Sequence, residues 1–164
     1  MLYTQLSLTD RAALWSSLEE MPGYLQAAFG SLTPENVSRP GPSGSFSPVE
    51  QVWHLADLER DGFGERIRRL LSESNPVLPD FDGTKVAIER NYRALSLAEG
   101  LAIFAEARVS NISILRCLKP NEWTKMGSQE GIGAVSMCDI PVFIAQHDAA
   151  HKQEIENWKA YVAG

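Results

Sequence analysis

The sequence lacks the features that mark secreted, disulfide-linked or membrane-spanning proteins. It has only two cysteines in 164 residues, Cys117 and Cys138, too few for a disulfide framework and too far apart for a CxxC motif. No apolar run approaches the ~18 residues needed to cross a bilayer. The N-terminal stretch MLYTQLSLTDRAALW has no basic segment followed by an apolar one, so we expect no secretory signal. These absences predict a cytoplasmic protein with reduced thiols and no membrane partner.

Positive charge is also scarce. The chain has 15 Lys and Arg against 21 Asp and Glu, a net charge of −6, whereas nucleic-acid-binding proteins concentrate Lys and Arg on one face. Its one basic cluster, Arg66, Arg68 and Arg69, is flanked by Glu65 and Glu73 and predicts a solvated helix face. We therefore expect no nucleic-acid partner.

The overall composition is that of an ordinary globular protein. Hydrophobic residues make up 44% of the chain and charged residues 22%. A chain of this length can bury a substantial core within one domain. We therefore predict that residues 1–164 form a single domain.

Every long periodic segment has the period of an α-helix, with apolar residues three and four positions apart. The first such segment spans residues 10–32, and its Pro22–Gly23 pair predicts a kink or a break near the middle. The next stretch, TPENVSRPGPSG, is rich in proline and glycine and predicts a loop.

The second helix has the clearest start in the chain. Ser47 is a suitable N-cap, Pro48 suits the first helical position, and Glu50 completes a capping box. We predict that this helix runs to about Ser72 and that residues 75–80 form a connector.

The third helix begins with the same signature. Ser96 and Glu99 form a second capping-box sequence, and apolar residues at helical spacing continue to Leu115, before Pro120. Residues 83–93 predict a shorter helix that leads into it.

The last helix is predicted from about Met137 or Ile140 to Tyr161, and Pro141 leaves its first turn open. The preceding stretch GSQEGIGAVS predicts a glycine-rich loop, and no segment shows convincing β alternation. Four long amphipathic helices predict an all-α four-helix bundle, in which metal sites are built from side chains on facing helices.

Only three histidines occur in the chain, and each lies in a predicted helix. His147 and His151 are four residues apart in HDAAHKQEIENW, so both project from one helix face, while His54 lies in the second helix. Two imidazoles from one helix and one from another can hold a metal ion and leave positions open to water or substrate, as in catalytic zinc sites. The pattern therefore predicts a divalent-metal site.

Other interpretations of these residues stay open at this level. A His-x3-His pair arises by chance in many helices, and a lone histidine on an apolar face is commonly a hydrogen-bonded core residue. The stretch HDAAH also approaches the zinc-protease motif HExxH, with Asp148 in place of the glutamate. Because Asp is one methylene shorter and points about 100° away from His147, we do not expect a protease.

Several acidic residues lie near the histidines in the predicted helices. On a helical wheel, Glu154 shares the face of His147, with Phe143 and Trp158, whereas Cys138 lies about 180° away and is a poor ligand candidate. On the second helix, Glu50 and Asp57 are placed to accept the second ring N–H of His54, as metal-bound histidines usually require. The candidates for a catalytic acid or base are Asp57 and Glu154. Equally, Glu50 and Asp57 are ordinary helix-surface acids in the simpler interpretation.

Two segments resemble the DinB-like (DinB/YfiT) proteins. SPVEQVWHLADLERDGFGERIRRLL is similar to that family's second helix, which begins with a Ser-Pro-x-Glu cap followed by a metal histidine. LKPNEWTKMGSQEGIGAVSMCDIPVFIAQHDAAHKQEIENW is similar to its C-terminal half, with a Leu-x-Pro-x-x-Trp step, a glycine-containing loop and a helix with paired histidines. The resemblance is weaker in the first helix and in residues 76–95. It implies an up-down-down-up four-helix bundle.

The resemblance also implies a function. The family's three metal ligands fall on His54, His147 and His151, which implies a divalent ion: zinc is expected, and nickel, copper and iron(II) also suit imidazole ligands. Better understood relatives look like thiol-dependent transferases and isomerases or metal-dependent hydrolases. We therefore expect a metal-dependent enzyme that acts on a small molecule, with a low-molecular-weight thiol as a candidate cosubstrate. The resemblance also implies a homodimer. The alternatives are a metal-stabilised bundle that binds a ligand or partner without catalysis, and a bundle that binds no metal.

Overall fold

The computed structural model describes residues 3–164 and is mainly helical. Met1 and Leu2, at the start of the stretch screened for a secretory signal, lie outside the described residues. The α-helices are α1 (Leu8–Phe29), α2 (Pro34–Val37), α3 (Pro48–Asp57), α4 (Gly64–Ser72), α5 (Gly83–Glu89), α6 (Leu97–Arg116) and α7 (Ile140–Ala163). A π-helical segment, Leu58–Phe63, continues α3 directly into α4. Short 3-10 turns are formed by Tyr3–Gln5, Pro42–Gly44 and Tyr92–Ala94.

Four helical rods form the body of the molecule. They are α1, the continuous rod formed by α3, the π segment and α4, then α6, and α7. α1 packs against α6 and α7, and α3 packs against α6. The predicted four-helix bundle is confirmed. Within residues 3–164, no helix combines the length and the apolar character needed to span a bilayer.

The predicted helix starts agree with the structure. The backbone N–H of Ser47 donates a 3.0 Å hydrogen bond to Oε2 of Glu50, which completes the capping box of α3. The Ser96 hydroxyl accepts a 3.2 Å hydrogen bond from the backbone N–H of Glu99. α7 begins at Ile140, so Pro141 lies in the first turn, where its missing N–H costs no helical hydrogen bond.

The predicted break in the first helix is wrong, because α1 continues through Pro22 and Gly23. Proline lacks the N–H that would bond to the carbonyl four residues earlier, that of Leu18. The Leu18 carbonyl instead accepts a 3.1 Å hydrogen bond from Nη1 of Arg108 on α6. A donor from a neighbouring helix therefore replaces the bond that Pro22 removes.

The structure also contains a small sheet that the sequence did not predict. Its strands are β1 (Val77–Leu78), β2 (Met126–Gln129) and β3 (Gly133–Ser136), with β1 parallel to β2 and β2 antiparallel to β3. Strands of two to four residues are too short to display an alternating pattern. The signal that was present is the pair of glycines in the hairpin, because Gly131 and Gly133 have φ of 76° and 98°.

The bundle core consists of two apolar clusters. One lies around α3, the first half of α6 and the end of α7, and the other lies around the π segment, α4 and the sheet. On α7 the second cluster contributes Ile144 and the first contributes Ile155, so His147 and His151 lie between the two. The paired histidines therefore face the middle of the bundle.

The basic cluster predicted to be solvated is divided in the structure. Arg68 and Arg69 lie on the surface and pair with Glu65 and Glu73, as expected. Arg66 does not follow the prediction, because only 6% of its surface is exposed. Its side chain is buried, and its guanidinium carbon lies 5.4 Å from the ring centroid of Phe63.

Candidate metal centre

The three histidines predicted to bind a metal lie together in the structure. His54 comes from α3, and His147 and His151 come from successive turns of α7. Nε2 of His147 lies 3.4 Å from Nε2 of His54 and 3.1 Å from Nε2 of His151. One nitrogen from each ring lies within 4.8 Å of the other two. We call this group the three-histidine centre.

These distances fit three nitrogens that share one ion. Zinc–nitrogen bonds of about 2.0–2.1 Å in tetrahedral geometry place the nitrogens about 3.3–3.4 Å apart. Imidazole nitrogens are also the donors that zinc, nickel, copper and iron(II) accept. The donor set and its spacing therefore fit a divalent metal with further positions left open.

Burial keeps two of the imidazoles in the neutral form that metal binding requires. Burial, together with the charge of His151, lowers the pKa of His54 to about 4. Burial and the charges of His151 and His54 lower the pKa of His147 to about 3. At neutral pH both rings therefore carry a free nitrogen lone pair, the form in which histidine binds a metal.

The orientation of the His151 ring is set by a glutamine and a glutamate. Nδ1 of His151 lies 2.7 Å from Oε1 of Gln51, and Nε2 of Gln51 donates a 2.7 Å hydrogen bond to Oε2 of Glu154. The hydrogen bond with His151, reinforced by Gln51, lowers the pKa of Glu154 to about 2, so this carboxylate only accepts hydrogen bonds. Gln51 must then direct its NH₂ group to Glu154 and its oxygen to His151. The Nδ1 of His151 consequently carries the proton, and its Nε2 presents a lone pair to the three-histidine centre.

The His54 ring is held by close packing. A Cβ atom at Gly83, the first residue of α5, would lie 2.4 Å from Cε1 and 2.5 Å from Nδ1 of His54. The rings of Phe46 and Phe81 lie 5.7 Å and 6.2 Å from the His54 ring, centroid to centroid. Nδ1 of His54 is buried and has no hydrogen-bond partner among the described residues. Contact with a backbone that has no side chain, rather than a hydrogen bond, therefore positions this ring.

A groove of about 530 Å³ opens beside the three-histidine centre. Its walls combine apolar and polar groups and include two of the three histidines. It is lined by Pro42, Ser45, Phe46, His54, His151, Glu154 and Asn157. The centre is therefore accessible to a small molecule from this side.

The acidic residues predicted near His54 have other partners. Asp57 is buried, accepts a 2.6 Å hydrogen bond from the Tyr92 hydroxyl and pairs with Arg60 and Arg90. No hydrogen bond joins Asp57 to His54 within the part of the chain that the structure describes. The interpretation of Asp57 as the acceptor of the His54 ring N–H is therefore wrong, because three donors already occupy its carboxylate.

Glu50, the other acid predicted to orient His54, does not contact the imidazole either. Its carboxylate caps α3 through Ser47 and accepts a 2.9 Å hydrogen bond from Nε of Arg93. The capping interpretation of Glu50 is confirmed. Its proposed contact with a metal ligand does not occur in the described residues.

A buried ionic network lies directly behind His147. Asp148, the next residue, accepts hydrogen bonds of 2.7 and 2.9 Å from the two terminal nitrogens of Arg108. Arg108 also donates a 2.9 Å bond to Glu59 in the π segment, and Asn111 donates to the side chain and the backbone carbonyl of Glu59. Asp148 therefore points away from the centre, in agreement with the expectation that HDAAH is not a protease motif.

Neither cysteine belongs to the centre. Cys138 is buried, with Sγ 3.3 Å from Oγ1 of Thr4, and it lies outside the three-histidine centre, as expected for a poor ligand candidate. Cys117 is exposed at the end of α6.

Comparison with known proteins identifies the family. A family model described as the DinB superfamily matches residues 17–155. The chain belongs to the DinB superfamily. The resemblance inferred from the two histidine-containing segments is thereby confirmed.

Relatives of this DinB superfamily protein have been named for metal-dependent chemistry. A curated protein of Geobacillus thermodenitrificans (strain NG80-2) with the name "Putative metal-dependent hydrolase" is 24% identical over 141 residues, which cover 85% of this chain and 79% of that protein. A similar solved structure is that of YfiT from Bacillus subtilis, described as a probable metal-dependent hydrolase with an unusual four-helix bundle topology. It matches with a TM-score of 0.80 over 96% of this chain and 91% of YfiT, at 19% identity. This likeness confirms the DinB/YfiT-like fold.

Sequence reasoning found the three histidines of this DinB superfamily protein and named Glu154 as a candidate acid or base, but it missed Gln51 and Gly83, which help to hold the rings. Gln51 precedes His54 by three residues, and Glu154 follows His151 by three, so a helical wheel that combined the two helices would have placed both beside the rings. Gly83 gave no such signal, because its contact with His54 depends on how α5 packs against α3.

Proposed function

We propose that this protein is a metal-dependent hydrolase that holds one divalent ion, expected to be zinc, on His54, His147 and His151. The observation that carries the proposal is the convergence of three ring nitrogens beside an open groove, with Nε2 of His147 3.4 Å from Nε2 of His54 and 3.1 Å from Nε2 of His151. The names given to the relatives from Geobacillus thermodenitrificans and Bacillus subtilis support the hydrolase class.

The ion would supply the electrophilic chemistry. A divalent ion with three imidazole ligands acts as a Lewis acid and lowers the pKa of water to about 7. The chain contributes ligands that are neutral, oriented and partly shielded from solvent. Gln51 and Glu154 orient His151, Gly83 and its neighbours position His54, and the groove admits the substrate.

Neither acid predicted as a catalytic base is well placed for that role. A general base works best when its pKa lies near the working pH, whereas that of Glu154 is about 2. Asp57 is occupied by Arg60, Arg90 and Tyr92. We propose that Glu154 positions His151 and that Asp57 anchors α3 to the segment that follows α5.

Two alternatives lead to different outcomes. A thiol-dependent transferase would need a low-molecular-weight thiol for turnover, and a metal-stabilised binding module would bind the ion without turnover. The homodimer, the thiol cosubstrate, the single domain and the cytoplasmic location stay predictions.

Metal analysis of protein purified without a His-tag tests the ligand set. We expect about one divalent ion per chain in the native protein and in Gln153→Ala, an exposed position on the same helix. We expect no bound ion in His151→Ala. An ion retained at full occupancy in His151→Ala would refute the assignment.

Activity assays test the reaction class. A panel of esters, amides and phosphoesters is incubated with the metal-loaded protein, with and without added thiol and with and without chelator. Hydrolysis that needs the metal but not the thiol supports the proposal. Turnover only in the presence of a thiol would favour the transferase, and binding without turnover would favour the binding module.

A further inference from the structure

Arg66 is a buried cation without a protein partner. Only 6% of its surface is exposed, and it forms no side-chain hydrogen bond or ion pair within residues 3–164. Its Nε is buried without an acceptor among the described residues, as is that of Arg108, and its two terminal nitrogens have no protein partner there but are not fully enclosed. Because arginine stays charged in proteins, this guanidinium retains its full positive charge inside the fold.

Arg108 shows how the same chain treats a buried arginine that has a structural role. It is 1% exposed, and both of its terminal nitrogens are bonded to carboxylates, those of Asp148 and Glu59. Burying a charge is costly unless it is paired, so Arg66 lacks the compensation that Arg108 has. An anion that is not part of the protein would supply it.

The π segment places Arg66 on the same side of its helical rod as His54. Twelve α-helical steps would rotate Arg66 by about 120° from His54, but the π turn takes up one extra residue and reduces the difference to roughly 20°. The two backbone positions are then about 16 Å apart along the rod. Helical side chains lean toward the N-terminus, so the Arg66 side chain extends back toward His54.

The Phe63 ring is close to both the guanidinium of Arg66 and the three-histidine centre. The guanidinium carbon of Arg66 is 5.4 Å from the centroid of the Phe63 ring. The same ring lies 6.0 Å from the His147 ring, centroid to centroid. The Phe63 ring therefore lies beside both the guanidinium and the centre, and a ligand that reaches both must extend past this ring.

Protein charge near Arg66 is limited. Asp80 is the neighbouring carboxylate that favours the charged form, and it lies beyond ion-pair distance. Burial has the larger effect and lowers the pKa of Arg66. The electrostatic surroundings thus leave the guanidinium available to a ligand.

We propose that Arg66 binds an anionic oxygen group, carboxylate or phosphate, of a substrate whose reacting group lies at the three-histidine centre. The planar fork of the guanidinium matches either group with two parallel hydrogen bonds. The inference rests on the proposed function, since it assumes a metal at the centre. It narrows the substrate class to small molecules with an anionic end.

The test uses probes that carry a metal-binding head and a variable tail. Alkyl hydroxamates of graded length, ending in a carboxylate, a phosphonate or an uncharged carboxamide, are titrated calorimetrically into the zinc-loaded protein. The variants are Arg66→Gln, which removes the charge, and Arg66→Lys, which keeps the charge without the fork. Arg68→Gln is the control, because Arg68 is exposed and paired with Glu65. Zinc content is measured for every variant before titration.

At one tail length we expect an anionic tail to bind the native protein and Arg68→Gln about tenfold or more tightly than the carboxamide. The preference should disappear in Arg66→Gln and be reduced in Arg66→Lys, with zinc content unchanged. The tail that binds more tightly, carboxylate or phosphonate, identifies the class of anion. No preference at any length in the native protein, or an unchanged preference in Arg66→Gln, would overturn the proposal. If Arg66→Gln does not fold, an unchanged preference in Arg66→Lys would overturn it. Absence of bound zinc in the native protein would instead refute the proposed function.

Discussion

Replacing Gly83 by alanine tests how the centre holds His54. The added Cβ would lie 2.4 and 2.5 Å from two atoms of the imidazole, whereas ordinary contacts begin at 3.4 Å. The ring must therefore retreat by about 1 Å, or rotate, while metal–ligand distances tolerate only about ±0.2 Å. His54 would no longer reach an ion that is held by the other two histidines.

The expected magnitude follows from the loss of one well-placed ligand. Disturbing the groups that orient a metal ligand commonly lowers metal affinity about 10- to 100-fold, and we expect Gly83→Ala to fall in this range or beyond it. The fold should be preserved, since Gly83 begins α5 and alanine is the better helix former. Zinc affinity is measured by competition with a chromophoric chelator, on tag-free protein.

Gly23→Ala is the matched control, because a Cβ at Gly23 meets no atom within 4 Å. It should leave the zinc dissociation constant unchanged. A Gly83→Ala protein that is folded and binds zinc with native affinity would refute the argument, since it would show that His54 is not a ligand or is not held by Gly83.

Three further predictions concern the surroundings of the centre. Gln51→Leu removes the acceptor of an imidazole N–H and should weaken zinc binding about 10- to 100-fold in the same competition assay, whereas Gln51→Glu, which keeps an acceptor, should lose less. Arg108→Met leaves two buried carboxylates unpaired and should lower the free energy of unfolding by about 3–5 kcal/mol in urea titrations; a loss below 1 kcal/mol, on the order expected for a surface pair, would contradict the network. In the metal-free protein, unfolded His147 takes up a proton near its ordinary pKa of 6.5, but folded His147 does so only at about 3. The free energy of unfolding should therefore fall as the pH drops from about 6.5 toward 3, and the Tm of His147→Gln should fall less steeply than that of the native protein. Equal slopes of Tm against pH in the two proteins would contradict this role of His147.

The sequence predicted the long helices well because their signals are local. The capping residues Ser47 and Ser96 and the apolar period define where each rod begins and continues. The first helix shows where local reasoning fails, since Pro22 is accommodated by Arg108, which lies far away in the chain. The sheet was missed for a similar reason, because short strands depend on tertiary pairing.

The distinction between local signals and contacts that depend on tertiary packing also applies to the candidate metal centre. The spacing of the two histidines on α7 and the place of His54 in another predicted helix indicated the three-histidine site, and the family resemblance supported it. The contact of Gly83 with His54 depends on helix packing. The position of Arg66 depends on the π segment, which the composition of residues 58–63 does not predict. Arg66 was interpreted as a solvated residue because Glu65 and Glu73 flank the basic cluster, a local pattern that does not show where the helix is buried.

The π segment sets the phase of everything that follows it in the rod. If residues 58–63 followed regular α geometry instead, with the chain length unchanged, the face downstream of them would turn by about 100°. Arg66 would then swing out of line with His54, and Ile67 would leave the apolar cluster on the core side. By taking up one residue more than an α turn does, the π segment keeps Arg66 on the side of the rod that carries His54.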